Sequence, residues 1–128
     1  MKALLDTHAL LWWLTDDDRL SAQALAIIKS PRNTVWVSPA SGWELATKLR
    51  LGKLPGAERV LPKLPALVEE SRLRVLPITL AHALSAGSLN HAHRDPFDRM
   101  LAAQAMAEHM TLVTSDSACK TLGAETIW

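Results

Sequence analysis

Four acidic residues, far apart along the chain, are the groups that could together do chemistry. They are Asp6, Glu44, Asp98 and Asp116. Carboxylate oxygens favour magnesium, manganese or calcium, whereas zinc sites contain more nitrogen and sulfur. Bringing like charges together is costly unless a cation joins them. If these acids converge, they therefore indicate a Mg²⁺ or Mn²⁺ site that can generate hydroxide and neutralise a scissile phosphate.

The clearest helix start in the sequence positions one of these acids. Asp95 is a carboxylate N-cap, Pro96 is suited to the first helical position, and Asp98 falls at the third. In one interpretation both aspartates serve the helix end; in the other, Asp95 caps the helix and Asp98 points into a site. The two nearby histidines, His91 and His93, precede the cap and have no third soft ligand near them, so the predicted metal site contains carboxylates only.

Strands alternate with helices along the chain, which predicts an α/β fold. Strands are expected at residues 2–6, 33–37, 74–77, 111–114 and 125–128. Helices are expected at residues 8–14, 22–30, 39–52, 66–71, 80–86 and 96–109, with a short one ending near 122. Prolines and glycines between 55 and 65 indicate a loop-rich connection. We therefore predict one domain, residues 1–128, with three α/β/α layers around a mainly parallel sheet.

This architecture brings the four acids to one edge. Asp6 ends the first strand, and Asp116 follows the fourth by two residues. Because helices run antiparallel to the strands, the helix starts that carry Asp98 and Glu44 lie at the same edge. Glu44 sits roughly 8 Å below its helix tip.

Simpler explanations exist for two of these acids. Glu44 could simply form an ordinary ion pair with Lys48 one turn later, and Asp116 could simply cap the helix that follows it. Asp6 is harder to explain away, because an acid that ends a buried strand is costly without a partner. Hydroxyl side chains at the same edge could hold waters or orient the carboxylates, although turn residues need no such role. They are Thr7, Ser38, Thr114 and Ser115.

Composition limits the partners of the protein. The chain has 128 residues, 48% of them hydrophobic, and a net charge of +1. Without the four acids, nine carboxylates oppose fourteen Lys and Arg residues, which leaves +5. A basic frame around an acidic centre suits RNA, and Arg94, Arg99 and Lys48 are candidate contacts. The single cysteine and the absence of a long apolar span predict a cytoplasmic protein without membrane attachment.

Four blocks of sequence resemble the PIN-domain family, and more narrowly its VapC-type toxins of bacterial toxin–antitoxin pairs. The blocks are LLDTHALLWWL at 4–14, SPASGWEL at 38–45, HRDPFDRMLAAQA at 93–105 and LVTSD at 112–116. The resemblance implies a PIN-like fold and a Mg²⁺- or Mn²⁺-dependent ribonuclease. It assigns the metal-binding and catalytic roles to Asp6, Glu44, Asp98 and Asp116. It also implies a cognate antitoxin and a homodimer.

Two adjacent tryptophans offer a surface for that antitoxin. Trp12 and Trp13 cannot both face one core, so at least one is a candidate interface anchor; in the simpler alternative, one is buried and one is half-covered. Two other functions compete with the nuclease. The first is a phosphatase or phospho-acceptor domain with Asp6 as nucleophile, which is disfavoured because His8 stands where a second acid is expected. The second is a non-catalytic binding module.

Overall fold

Five short parallel strands form one sheet in the order β3-β2-β1-β4-β5. The structure, a computed structural model, describes residues 1–128. The strands are β1 (Lys2–Leu5), β2 (Thr34–Val37), β3 (Arg74–Val75), β4 (Thr111–Val113) and β5 (Thr126–Ile127). The sheet is thus entirely parallel, and β1 lies at its centre.

Eight helices and one 3₁₀ turn connect the strands. The helices are α1 (Thr7–Leu14), α2 (Ala22–Lys29), α3 (Pro39–Arg50), α4 (Ala57–Val60), α5 (Leu64–Glu70), α6 (Leu80–Ser88), α7 (Pro96–Ala107) and α8 (Ser117–Thr121). The 3₁₀ turn spans Leu61–Lys63, between α4 and α5. None of these helices has the length and apolar composition that a bilayer span requires.

Side chains alternate between two cores because successive residues of a strand face opposite sides of a sheet. Ala3 and Leu5 belong to the core that packs against α1 to α5, whereas Leu4 belongs to the core that packs against α7 and α8. Both faces of β1 are therefore buried, as expected for a parallel sheet. This arrangement confirms the predicted three-layer α/β/α fold.

The order in which the strands are added to the sheet reverses at the boundary between β1 and β4. Strands β2 and β3 lie on one side of β1, and β4 and β5 lie on the other. Leu5 pairs with Val113, and the Asp6 amide donates to the Val113 carbonyl at 3.1 Å. In parallel sheets, ligands bind in the crevice beyond the carboxyl ends of the strands at such a point. Asp6 and Thr114 are the first residues beyond these two strand ends.

The connection between α3 and β3 differs from the prediction. The expected loop from 55 to 65 contains α4 and the 3₁₀ turn, and α5 begins at Leu64 instead of Ala66. Pro62 and Pro65 are the second residues of the 3₁₀ turn and of α5, within the first turn of each. A proline is tolerated there because those N–H groups have no partner within the helix. The two prolines therefore begin helical turns instead of interrupting them.

Candidate active site

Asp6 is a buried carboxylate at the end of the central strand. Its side chain is 7% exposed in relative terms, and its Oδ1 accepts a hydrogen bond from the Ala9 amide at 2.7 Å as the N-cap of α1. Burial raises the pKa of this carboxyl, and the negative charge of Asp98 raises it further. The Thr114 hydroxyl, the Ala9 amide and His8 oppose the shift. The ionised form of Asp6 is therefore held at a net cost.

Asp98 faces the same edge from the first turn of α7. Asp95 alone caps this helix, because its Oδ1 accepts from the amides of Phe97 at 2.9 Å and Asp98 at 3.3 Å. The Asp98 carboxylate instead lies 2.9 Å, through Oδ2, from Nε2 of His93. The geometry thus separates the two aspartates: Asp95 serves the helix end, and Asp98 does not.

Nearby negative charge adds to the effect of burial on Asp98. Burial is the largest cause of its raised pKa, and the hydrogen bond from His93 opposes it. The charges of Asp95, Asp116 and Glu44 raise the pKa further. Asp95, Asp116 and Glu44 are therefore close enough to Asp98 for their negative charges to repel it.

Glu44, in the middle of α3, is buried, with 3% of the residue exposed. Its Oε1 accepts a hydrogen bond from the Thr7 hydroxyl, and its Oε2 pairs with the ammonium of Lys48 one turn later. Partial burial alone would lower the pKa of Lys48, but the hydrogen bond to Glu44 and the charges of Glu44, Asp95 and Asp98 raise it overall. Lys48 therefore stays a cation beside the acids. The Glu44–Lys48 ion pair of the simpler explanation is therefore present, but its carboxylate is buried beside the other acids instead of lying on the helix surface.

Asp116 lies exposed at the mouth of the site. Its Oδ1 caps α8 through the Ala118 amide at 2.9 Å, and its own amide donates to the Thr114 hydroxyl oxygen at 3.0 Å. It borders a groove of about 540 Å³ whose lining mixes apolar side chains with polar and basic ones. The groove also contains His8, Trp12, Arg19, Lys53 and Ser115.

The acids are close enough to affect one another electrostatically, but they share no hydrogen-bond partner. Asp98, Asp6 and Asp116 all act on the buried thiol of Cys119, whose pKa is raised to about 12, chiefly by burial. No group of three His, Cys, Asp or Glu side chains nevertheless stands ready to ligate one ion. Each acid is held by its own local partner: Ala9 for Asp6, His93 for Asp98 and Ala118 for Asp116.

The hydroxyl side chains divide into two groups. Thr7 contacts Glu44, and Thr114 acts on Asp6 and accepts from the Asp116 amide. Ser38 instead caps α3 through the Ala40 amide, and Ser115 lines the groove.

The candidate RNA contacts also differ in their surroundings. Arg94 is exposed, and Lys48 pairs with Glu44. All five N–H groups of the Arg99 guanidinium donate to backbone carbonyls, so this side chain has no donor left for a phosphate. Arg99 is thus engaged within the protein, contrary to its expected position at an RNA surface.

Sequence reasoning missed two features of the site. His93 was set aside as a ligand, yet it contacts Asp98 directly. Its position two residues before an N-cap aspartate is the only sequence signal of this contact. The basic lining of the groove was missed at His8 and Arg19, because they lie on or after α1, away from the predicted basic segments.

The two tryptophans of α1 are both partly buried against the core. The ring of Trp12 lies 5.8 Å from that of Trp128 and 5.4 Å from that of His8, and the Arg19 guanidinium lies 4.9 Å from its centroid. Trp13 borders a neighbouring hollow together with Trp12, Leu20 and Leu25. Both rings therefore keep part of their surface at hollows that a partner could fill.

Comparison with known proteins identifies relatives over nearly the whole chain. The family model described as PIN domain matches residues 3–124. Ribonuclease VapC22 of Mycobacterium tuberculosis is 33% identical over 114 residues, which cover 88% of this chain and 85% of that protein. Ribonuclease VapC16 of the same organism is 38% identical over 72 residues, 53% of this chain and 50% of that protein. The match thus spans about half the length of VapC16.

A solved structure shares the fold. The structure of VapBC2 from Rickettsia felis, bound to a DNA fragment from its promoter, has a TM-score of 0.72 and 22% identity, with 100% of this chain and 99% of that chain covered.

Replacing the buried Asp6 or the partly buried Asp98 with asparagine should stabilise the metal-free protein. A carboxyl whose pKa is raised by folding contributes stability below its ordinary pKa of 3.8 and loses it as the pH rises through the raised value. Asp6→Asn and Asp98→Asn should therefore have higher melting temperatures than the parent at pH 7 in EDTA, and the difference should disappear below pH 4.

The matched control is Asp17→Asn. Arg19 holds the pKa of Asp17 down, to about 2, so this change should give no gain at pH 7. Equal melting temperatures for the parent, Asp6→Asn and Asp98→Asn at pH 7 would contradict the repulsion deduced above.

Proposed function

The chain belongs to the PIN domain family, and from this premise we propose that it is a divalent-metal-dependent endoribonuclease, the toxin of a toxin–antitoxin pair. The observation that carries the proposal is the buried Asp6 beyond the ends of β1 and β4, close enough to Asp98 for the charge of Asp98 to raise its pKa. Two relatives, VapC22 and VapC16, are ribonucleases. We assign the activity to the cytoplasm, where RNA and ribosomes are found.

The residues present fit a hard cation. The negative charges of Asp6 and Asp98 and of the acids near them raise the pKa values of Asp6 and Asp98, and a divalent ion would remove that cost. Magnesium is typically bound by one or two carboxylates, several waters and a substrate phosphate, so a site without three converging protein ligands suits it. We assign the ion, Mg²⁺ or Mn²⁺, to Asp6 and Asp98, with Glu44 and Asp116 contributing at the margin. When bound, the ion supplies an activated water and charge neutralisation at the phosphate.

The side chains of the protein contribute orientation and charge. Thr7 and Lys48 hold both oxygens of Glu44, so this carboxylate stays fixed at the edge of the site. The Lys48 ammonium can also offset negative charge on a phosphate. The groove beside Asp116 contains Arg19, Lys53 and the ring of Trp12. Basic groups with an aromatic ring suit a single RNA strand. Arg94, exposed and close in sequence to Asp98, is a further candidate contact.

The competing phosphatase hypothesis is disfavoured by the surroundings of Asp6. A nucleophilic carboxylate must reach the phosphorus atom, but Asp6 is buried and one of its oxygens is committed to the Ala9 amide. The non-catalytic alternative predicts neither metal binding nor RNA cleavage, so metal-dependent cleavage of RNA by the purified protein would exclude it.

The first experiment is cleavage of total RNA by the purified protein. Activity should require Mg²⁺ or Mn²⁺ and be lost in EDTA. Removing a group that merely orients a metal ligand lowers activity 10–100-fold, so the loss of a ligand in Asp6→Asn or Asp98→Asn should exceed about 100-fold.

The exposed acid Glu69, at the end of α5, provides the control: Glu69→Gln should cleave at the parental rate. Cleavage that persists in EDTA would contradict a metal-dependent nuclease. Phosphate release from small phosphomonoesters without RNA cleavage would favour the phosphatase instead.

The cognate antitoxin is proposed to bind over Trp12 and Trp13. Aromatic side chains in hollows are frequent anchors of protein interfaces, and the Trp12 ring also lines the groove beside Asp116. Trp13→Ala should weaken antitoxin binding by about 30-fold, the size expected for an anchor worth about 2 kcal/mol, while RNA cleavage is retained. Leu51→Ala removes an apolar side chain that is 50% exposed just after α3, away from both tryptophans, and should leave that affinity unchanged. Equal losses in both variants would contradict this location.

A homodimer is proposed through exposed apolar residues of α3 and α6. Leu80 and Leu84 are 77% and 64% exposed one turn apart on α6, and Trp43 and Ile78 border a shared hollow. Leu84→Glu should halve the mass measured by light scattering, because a charge would be buried in the interface. Leu51→Glu, at a half-exposed leucine just after α3, should keep the parental mass. An unchanged dimer in Leu84→Glu would place the interface elsewhere.

A further inference from the structure

Arg99 forms a complete set of hydrogen bonds directly beside Asp98. Its five N–H groups donate to five backbone carbonyl oxygens at distances of 2.7–3.4 Å. The acceptors are Ala86 for Nε, His91 and His93 for Nη1, and Gly87 and Leu89 for Nη2. Arginine has five donors in a rigid planar fork, so this side chain is saturated.

Three of these carbonyls, those of Ala86, Gly87 and Leu89, lie at the end of α6. Ala86 and Gly87 belong to its last turn, and Leu89 is the residue at which it ends. The last carbonyls of a helix have no partner within the helix, and a positive charge there is favourable. Helix α6 has no basic residue of its own in its last turn. Arg99 of α7 therefore provides the cap from outside.

The other two carbonyls belong to the connection that leads to Asp95. The backbone amide of His93 donates to Nδ1 of His91 at 3.0 Å, and the His93 carbonyl accepts from Arg99 at 2.9 Å. The His93 ring then reaches Asp98, with 2.9 Å between Nε2 and Oδ2. Arg99 thus contacts the backbone of His93, and the His93 ring contacts Asp98, the residue that precedes Arg99 in α7. The location of the His93 ring therefore depends on backbone that Arg99 holds.

We propose that Arg99 is a positioning residue that acts through His93 on Asp98. It fixes the connection between α6 and α7 so that His93 holds Oδ2 of Asp98, which leaves Oδ1 available to the divalent ion. The inference rests on the function proposed above. Groups that hold a metal ligand in one orientation commonly change metal affinity 10–100-fold when they are removed.

The test is a double-mutant cycle on Mn²⁺ binding, with free Mn²⁺ measured by electron paramagnetic resonance. Arg99→Lys keeps the charge but loses the planar fork. Arg99→Lys and His93→Ala should each raise the Mn²⁺ dissociation constant by about 10-fold or more. The double variant should bind no more weakly than His93→Ala alone, because Arg99 acts through His93. In RNA cleavage, kcat should fall in Arg99→Lys while KM stays unchanged.

The control is Arg32→Lys, at an exposed arginine before β2 and so at the opposite edge of the sheet, which should behave as the parent. Additive losses in the double variant would overturn the proposal. So would an Arg99→Lys protein with parental Mn²⁺ affinity and a raised KM for RNA, since that result indicates direct phosphate contact. If Asp98→Asn binds Mn²⁺ as the parent does, the metal site itself fails together with this inference; if only Asp98→Asn loses binding, the metal site stands and the role of Arg99 is refuted.

A second measurement requires no variant and therefore does not depend on the folding of Arg99→Lys. In the NMR spectrum of the parent, the Arg99 Nε–H should exchange slowly with solvent, and Mg²⁺ alone should shift the Nε2–H resonance of His93. Rapid exchange of the Arg99 Nε–H, as in a free surface side chain, would overturn the proposal.

Discussion

The repulsion between Asp6, buried at the end of β1, and the partly buried Asp98 at the start of α7 is the constraint on which the rest of the site depends. Asp6 lies in low-dielectric surroundings and feels the charge of Asp98, and Asp98 feels three further acids. Such a group of charges is unfavourable unless hydrogen bonds and cations compensate it. The neighbours of these acids provide that compensation, because Thr7, Thr114, His93 and Lys48 each contact or act on one of them.

The parallel sheet provides a second source of compensation. Helices α1 and α8 follow strands and so begin at the edge where the strands end, and α7 starts at the same edge because it leads back into β4. Helix N-termini present free N–H groups and partial positive charge. Asp6, Asp95 and Asp116 use these groups as N-caps of α1, α7 and α8. A carboxylate at this edge can thus be stable without a metal, at the price of being directed toward its own helix. Because these aspartates also cap helices, they lie close enough to Asp98 to repel it, yet no three of the acids are arranged to bind one metal ion.

The parts of the site that could be predicted from the sequence are those with local signals. The Asp95-Pro96 pair predicted the start of α7 correctly, and strand alternation with helices predicted the edge that gathers the acids. The role of Arg99 could not be predicted, because its five partners are backbone carbonyls, which leave no trace in residue type. Pro62 was misinterpreted for a related reason: a proline that begins a helical turn and a proline that breaks one are the same residue in different tertiary surroundings.

The position of Trp12 connects the proposed partners of the protein. Its ring lines the groove beside Asp116 and also borders the hollow that contains Trp13. A protein segment anchored on both tryptophans would cover one wall of the groove in which an RNA strand would lie. Two ligands that need the same ring surface cannot bind at once, so their binding is competitive without any conformational change. An antitoxin could then inhibit cleavage by occupying this wall, while the acids beyond Asp6 and Asp98 keep the arrangement that they have in the free protein.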